Sequence, residues 1–490
     1  MKKLRTIIIV IVVAAIVILS AILALIIARG GKLSEGGGLV RTGIIRIEAK
    51  PEDVTVFVNG QKTNLQDKQI LGLEEGDYRV TIAKEGYSSW ERTVRARVGV
   101  VVEVYAQLFP TSLNLSEITQ TNIDRAFFSD NGEFAVYTVT DSDVGNNLGL
   151  WRIRLLKPTI AIGENNPVRL SDINDVLAEV TEANYEIDFS PENKFIKIHN
   201  SDTNEYYIIN AELYNEPEES LNDELGYSPD RVDWFRNSSS LIISKGDAIF
   251  EYDLEEKTST LISLTPDNNP VYGVNQERVV FYNHNNGIVE YYERDKSQEL
   301  EIKNITLPAS VESIFVAKND PELLLMKASG KFYYLNVEKS FLDELEGDLE
   351  FISFAQNGLS ALFRRGTNLL SFTVEEFVSE NRFKTELLTV LENFDPEIHH
   401  VMWNSSSAHI LVLSESETLK TLTIYDRDGG NATILLTDKR ITNRDFSMTS
   451  DNSLLNILMN DEVKENGETH VLRTNLYELD LEEGIVKTGQ

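Results

Sequence analysis

Residues 187–200 read IDFSPENKFIKIHN. A short apolar strand runs into a polar Ser-Pro-Glu-Asn turn, and a second strand of alternating apolar and polar side chains leaves it. The same cadence recurs along the chain. AFFSDNGEFAVYTVT precedes it, and VDWFRNSSSLIISKG, VYGVNQERVVFYNHN, IFVAKNDPELLLMKA, FISFAQNGLSALFRR, VMWNSSSAHILVLSE and FSMTSDNSLLNILMN follow. The turns fall near 130, 192, 238, 276, 319, 357, 405 and 451, so the steps between them are 62, 46, 38, 43, 38, 48 and 46 residues. A third strand comes after each pair, as in EYYIINAE, AIFEYDLE, KFYYLNVE or NLYELDLEEG. In several units an acidic hairpin then leads to a fourth, such as TSTLISL, ELEIKNITL or ATILLTD. The long first step leaves space for loops around 144–148 and 164–168.

A four-stranded unit of about forty residues is the repeat of a β-propeller blade. The eight turns predict eight blades over 111–490, with seven the alternative, because an end unit can instead pair with SLNLSEI at 112–118. A string of β-sandwiches would not give eight similar units at this spacing. The repeats resemble those of TolB-type and related propellers, in which Phe-Ser-Pro-Asp-Gly opens one hairpin and a Tyr-x-x-Asp-x-x-Gly-Gly stretch closes the next. Ser190-Pro191-Glu192-Asn193 and Tyr425-Asp426-Arg427-Asp428-Gly429-Gly430 fit that pattern best, and the Trp-Asp pair of WD-type blades is missing.

Upstream, GIIRIEA at 43–49 and DVTVFVNG at 53–60 read as strands, with Val54, Val56 and Val58 on one face. Pro51 ends the first, and Asn59-Gly60 is a tight-turn signal. A turn at 74–76, a strand with Tyr78, Val80 and Ile82 inward, a break at Gly86 and a last strand over 98–108 complete the set. These features predict a compact antiparallel β-sandwich over 43–110. The segment resembles the PEGA family through Pro51 and Glu52 at its first turn, then Val56, Val58, Asn59, Gly60, Leu73, Gly76, Tyr78, Val80, Ile82, Gly86, Tyr87 and Trp90. Asp53 stands where the family carries glycine. The resemblance implies a small, non-catalytic, envelope-associated module of bacteria or archaea.

The chain begins with a six-residue basic tail and IIIVIVVAAIVILSAILALIIA at 7–28, a run without a charge. At about 1.5 Å per helical residue it covers roughly 33 Å, enough for a bilayer core. It exceeds the apolar stretch of a signal peptide and ends at Arg29 without a good cleavage site. A signal-anchor helix is therefore expected, its N-terminus cytoplasmic and the remainder extracytoplasmic. RGGKLSEGGGLVRT at 29–42 reads as a glycine-rich flexible tether. The expected fold is thus all-β apart from that one helix.

Charge narrows the partners. Lys and Arg number 46 against 78 Asp and Glu, a net −32. The first 32 residues hold five of the bases and no acid, which leaves 41 against 78, or −37, for the rest. Such a surface repels phosphate backbones, so nucleic acid is excluded as a partner. Cysteine is absent, which removes disulfides, thiolate metal sites and thiol nucleophiles.

The histidines are His199, His284, His399, His400, His409 and His470. No His-Glu-x-x-His, Gly-x-Ser-x-Gly or phosphate-loop pattern occurs. His399 and His400 lie on EIHHVMW, an innermost strand, where one of them can face the channel; the plainer reading is a partly buried or solvated side chain. The run from Asp426 to Asn431 has part of a calcium-loop pattern but lacks its final glutamate, and reads as a blade hairpin. Acidic stretches at 215–230 and 338–350 read as solvated loops. No residue is assigned a catalytic, cofactor-binding or metal-binding role. The expectation is a membrane-anchored envelope protein. Its propeller would be a scaffold for an envelope protein or cell-wall polymer, and the module a spacer. The alternative is a propeller hydrolase or lyase acting on envelope glycan or peptide.

Overall fold

The computed structural model describes residues 39–482 except 140–147, 157–166, 172–184, 213–218, 265–269, 284–286, 294–295, 300–306, 308–310, 319–322, 337–340, 378–381, 395 and 466–467, together with 13, 16–18, 20–21 and 31–33. The apolar run 7–28 falls almost wholly outside them. Among the described residues no helix is long and apolar enough to cross a membrane. The tether is not featureless: Gly31–Leu33 pairs antiparallel with Leu39–Arg41, where Leu33, Leu39 and Val40 favour strand. The chain divides into two units, Met1–Leu113 with Glu482–Gln490, and Asn114–Leu481.

In the first unit, Gly43–Lys50 lies between Gln69–Leu73 and Val101–Gln107. A second sheet holds Gln61–Thr63, Thr55–Val58, Gly76–Ala83 and Trp90–Ala96 in that order. Alternation buries Ile45, Ile47, Val56, Val80, Ile82, Trp90 and Val94 between the two sheets. Each such side chain contributes about 1.5–3 kcal/mol. Asn59 and Gly60 take φ of 49° and 81°, the mirror-image turn that suits a two-residue hairpin, and Val58 faces Gln61 across it. One expectation fails, since the module is not wholly antiparallel. Val101–Gln107 runs parallel to Gly43–Lys50, from Ile44 opposite Val101 to Lys50 opposite Gln107. The chain leaves one sheet at Ala96 and crosses to the other, so the crossing and not a hairpin sets the direction.

The second unit contains eight four-stranded antiparallel sheets among the described residues. Seven run in chain order, spanning 125–171, 185–220, 231–264, 272–299, 311–345, 350–391 and 397–438. The eighth is built from Ile441–Met448, Leu454–Glu465 and Glu468–Asp480, and its outermost strand is Asn114–Glu117. The SLNLSEI segment, whose pairing the sequence left open, thus completes the last sheet.

First strands of neighbouring sheets lie side by side at most joints, and that of the eighth returns to lie beside that of the first. Lys197 Nζ donating to the Val232 carbonyl (2.8 Å) makes the joint between sheets two and three. The rings of Phe315 and Phe351, 4.6 Å apart, make that between five and six. The sheets therefore close into a ring, a β-propeller.

Most second strands read as apolar runs because they are buried on both faces; Phe195–Asn200, which carries Lys197 and His199, is an exception. Val136 packs toward sheet two and its neighbour Tyr137 toward sheet eight. Leu241 and Ile243 serve one interface and Ile242 the next.

The turn between first and second strands has one shape at five sheets. Its first residue donates its N–H to the carbonyl five positions on, and its fourth donates back to the first, as Ser190 with Phe195 and Asn193 with Ser190. The fourth position is left-handed throughout: Gly132, Asn193, Gly358, Ser407 and Asn452 have φ of 57–71°. Glycine and asparagine accept this at little cost. A side-chain oxygen at the first position, on Ser129, Ser190, Asn404 or Thr449, accepts the N–H across the turn.

These turns also bond to one another around the ring. Asn193 Nδ2 donates to Asn131, Glu192 N to Ser238, Arg236 N to Gln276, Asn275 Nδ2 to Ala317, Asn357 N to Ser407 and Ser405 N to Asn452. At the joint of eight and one the backbones touch: a Cβ on Gly132 would stand 2.1 Å from the Met448 carbonyl oxygen.

Candidate functional site

The histidines described with side chains are engaged in local pairs. His399 Nε2 is 2.8 Å from Glu415 Oε2 on the adjoining strand, and this hydrogen bond pulls the Glu415 carboxyl below its usual range. His400 meets the ring of Phe446 edge-on at 4.9 Å. His409, buried on a second strand, lies 3.3 Å from Asp426. His284 is outside the described residues, and His470 lies on Glu468–Asp480.

The loop from Asp426 to Asn431 is a hairpin turn. Asp426 Oδ2 accepts from Asn431, the Gly429 N–H donates to the Asp426 carbonyl, and Gly430 N–H to Asp428. Gly429 has φ 82°, and a Cβ there would sit 2.6 Å from the Val390 carbonyl oxygen. Among the described residues no His, Asp and Glu group is arranged to hold a metal. Of the acidic stretches, residues 221–225 form a short helix capped by Ser220, and 341–345 are the outermost strand of the fifth sheet and not a loop.

Three groupings were invisible in the sequence. The first spans the ring. Lys318, after the first strand of sheet five, bonds to the carboxylate of Asp130 in the turn of sheet one, 188 residues away. Gln356 Nε2 donates to the Asp130 carbonyl at 3.0 Å. Lys318 keeps 62% of its side-chain surface in solvent although protein surrounds it, as expected of a side chain standing in the central channel. Burial alone would lower its pKa. The charge of Asp130, backed by those of Asp188 and Asp233, holds it above the usual 10.5. A raised folded-state pKa contributes stability that is complete below the unfolded value and lost as pH rises through the folded one. The loss of unfolding midpoint in Lys318→Met should therefore be constant from about pH 6 to 9 and shrink only beyond pH 10.5. Midpoints of both proteins across that range provide the check.

The second grouping lies at the joint of sheets two and three. His199 stacks on Tyr206 at 4.1 Å between ring centres and approaches Glu186 at 3.9 Å. Burial, helped by the charges of Asp233 and Glu186, pushes the Tyr206 phenol up to about 12. Arg231 pairs with Asp233 at 2.8 Å, lies 4.5 Å over the Tyr272 ring and donates to the Tyr272 carbonyl. Arg125 does the same to Tyr185 at the joint of sheets one and two, so these arginines clamp one sheet to the next.

The third is a cleft of about 470 Å³ between sheets five and six. Phe315 and Phe351 meet at its floor, with Phe332 and Phe363 packed 5.2 Å apart. Its walls carry Ser313, Lys327, Asp348, Glu350 and Arg364. The signal in the sequence was the density of phenylalanine between 332 and 363, which reads simply as core.

Comparison with known proteins separates the two units. The PEGA domain model matches residues 42–112. Those residues lie within the first unit. No curated protein sequence matches the chain. Among solved structures, the WD40 domain of SCAP from fission yeast is similar at 10% identity and a TM-score of 0.44, over 76% of this chain and 95% of that one. The Dos1 propeller is similar at 11% and 0.41, over 76% and 94%. Hsv2 of Kluyveromyces lactis is similar at 10% and 0.40, over 65% and 99%. Residues 42–112 are thus similar to the PEGA domain, and the propeller reading of the second unit stands on its own sheet order.

Proposed function

We propose that this chain is a single-pass, membrane-anchored envelope protein whose extracytoplasmic propeller of eight blades is an interaction scaffold for another envelope protein or a cell-wall polymer. The PEGA domain is the spacer between anchor and ring. The observation that carries the reading is how charge is distributed in the ring. Along the inner strands, ionic groups serve the ring itself, as Arg231 with Asp233, Lys197 with Asp188 and His399 with Glu415. At the cleft of sheets five and six, charges of both signs stand over an aromatic floor. The apolar run 7–28 supports the anchor, and the −37 of the remainder suits an uncharged or mixed-charge partner over a polyanion.

Mild crosslinking of native membranes, followed by capture through a C-terminal tag, tests this against a chain lacking 114–481. Protein partners or wall polymer should be recovered with the full chain and lost with the deletion. Recovery of neither, or a chain that alkaline washing strips from the membrane, would overturn the proposal.

The grouping of His199, Glu186, Tyr206, Arg231 and Asp233 supports a second reading, a hydrolase or lyase acting on envelope glycan or peptide. Turnover of the captured material, abolished by Glu186→Gln, would install it in place of the scaffold.

A further inference from the structure

We infer that the cleft between sheets five and six is a peptide-binding site. It takes a short extended segment whose apolar or aromatic side chain rests on the phenylalanine floor while its carboxylate meets Lys327 and Arg364. The inference rests on the scaffold reading and names the ligand chemistry of that scaffold.

Three independent features point this way. Phe315 and Phe351 are only half-buried although each sits in a ring-to-ring contact, so apolar surface stays open where the two sheets meet. The walls bear two cations, Lys327 and Arg364, and two anions, Asp348 and Glu350; Arg364 stands opposite Glu350 across the strand pair, yet none of the four comes within ion-pair distance of an opposite charge among the described residues. Lys327 Nζ lies 5.9 Å from the Phe332 ring centre, and Arg364 Nε donates to the Gly366 carbonyl. Exposed charges elsewhere in the ring pair readily, as Lys331 with Glu344 on this same fifth sheet. Finally, both first strands lining the cleft bulge there, at Val311/Ser313 and at Phe351/Ser353. A bulge bends its strand and re-aims side chains, as at many sites. The seventh sheet bulges at the corresponding place, so the device is shared, but here it opens onto a cavity.

The ligand class follows from these groups. Unpaired charges of both signs around one apolar floor match a peptide, which offers a side chain for the floor and groups of both signs for the walls. A neutral sugar would leave the four charges unanswered, and a polyanion would meet the repulsion of the whole chain. The volume lies in the range of about 300–1,000 Å³ usual for ligand sites.

The test uses the full-length chain in detergent, with a displayed library of random heptapeptides as probe. Selected peptides should converge on an aromatic or large aliphatic residue beside Asp or Glu. The double variant Lys327→Glu with Arg364→Glu changes one half-buried and one exposed side chain, so its unfolding midpoint is measured beside binding. It should bind those peptides at least tenfold more weakly, and fresh selection on it should replace the acidic neighbour by Lys or Arg. That inversion is something a loss of packing would not produce. Peptides without a shared pattern, or binding unchanged in the double variant, would overturn the site. If the double variant still captures the native partners, the scaffold stands and the cleft is not its site.

Discussion

Replacing residues 114–117 by Gly-Ser-Gly-Ser should lower the unfolding midpoint of the ring by about 5 °C, a loss of about 4 kcal/mol. These residues pair with the last strand from Asn114 opposite Asp480 to Glu117 opposite Tyr477. The Glu117 carboxylate accepts from Asn475, which is buried. Beyond the strand, Ile118 and Ile123 donate their N–H groups to the Leu476 and Thr474 carbonyls. Asn122 and Thr119 side-chain oxygens accept from Thr474 and Leu476. The substitution removes the side chains and weakens a ladder whose partners have no alternative mate. Each backbone bond lost contributes about 1 kcal/mol, and the buried Asn475 amide keeps Asp461 but loses its shorter bond to Glu117. Calorimetry on the full chain is the measurement. An unchanged midpoint would mean that packing of Tyr137, Ile153, Leu458 and Leu476 holds the first and eighth sheets together without the seam.

Glu251→Ala should be comparably severe, at about 3–5 kcal/mol. This carboxylate is 6% exposed and accepts from Ser240 at 3.0 Å and from the Tyr292 hydroxyl at 2.7 Å. It also pairs with Arg236 at 3.0 Å. Removing it strands the partly buried Arg236 guanidinium and two hydroxyls at the joint of sheets three and four, and an uncompensated charge there costs more than the pair contributed. Glu251→Gln keeps the shape and the hydroxyl bonds and should lose less. The decisive comparison is a denaturant cycle with Arg236→Ala. The double variant should be more stable than the sum of the single losses predicts, because each partner harms chiefly by abandoning the other. Simple additivity would show that the two groups act separately.

The ring was legible in the sequence because its rules are local. A turn that wants an oxygen first and a left-handed residue fourth leaves Ser190 and Asn193, or Thr449 and Asn452, in plain view. A strand buried on both faces shows as the run LLLM or ILVL. The parallel pairing of Val101–Gln107 was not legible, since alternation is the same whichever way a strand runs. Nor was the tie from Lys318 to Asp130, because nothing near either residue refers to the other. The cleft was hidden for a different reason. Phe315 and Phe351 look like core, Lys327 and Arg364 look like ordinary surface, and only the fold brings floor and walls together.

The seam also fixes an order of events. Asn114–Glu117 is the first strand of the ring to be synthesised, yet its mate is the last. Until Glu468–Asp480 has been made, the early strand presents an unpaired edge, a ready template for the wrong neighbour. Every other sheet is assembled from strands adjacent in the chain and can form as it appears. Closure instead must wait for contacts of very high sequence separation, the slowest kind to find. The strand order thus predicts a growing arc that becomes a ring late, and the interval before closure is when the chain is expected to need most protection.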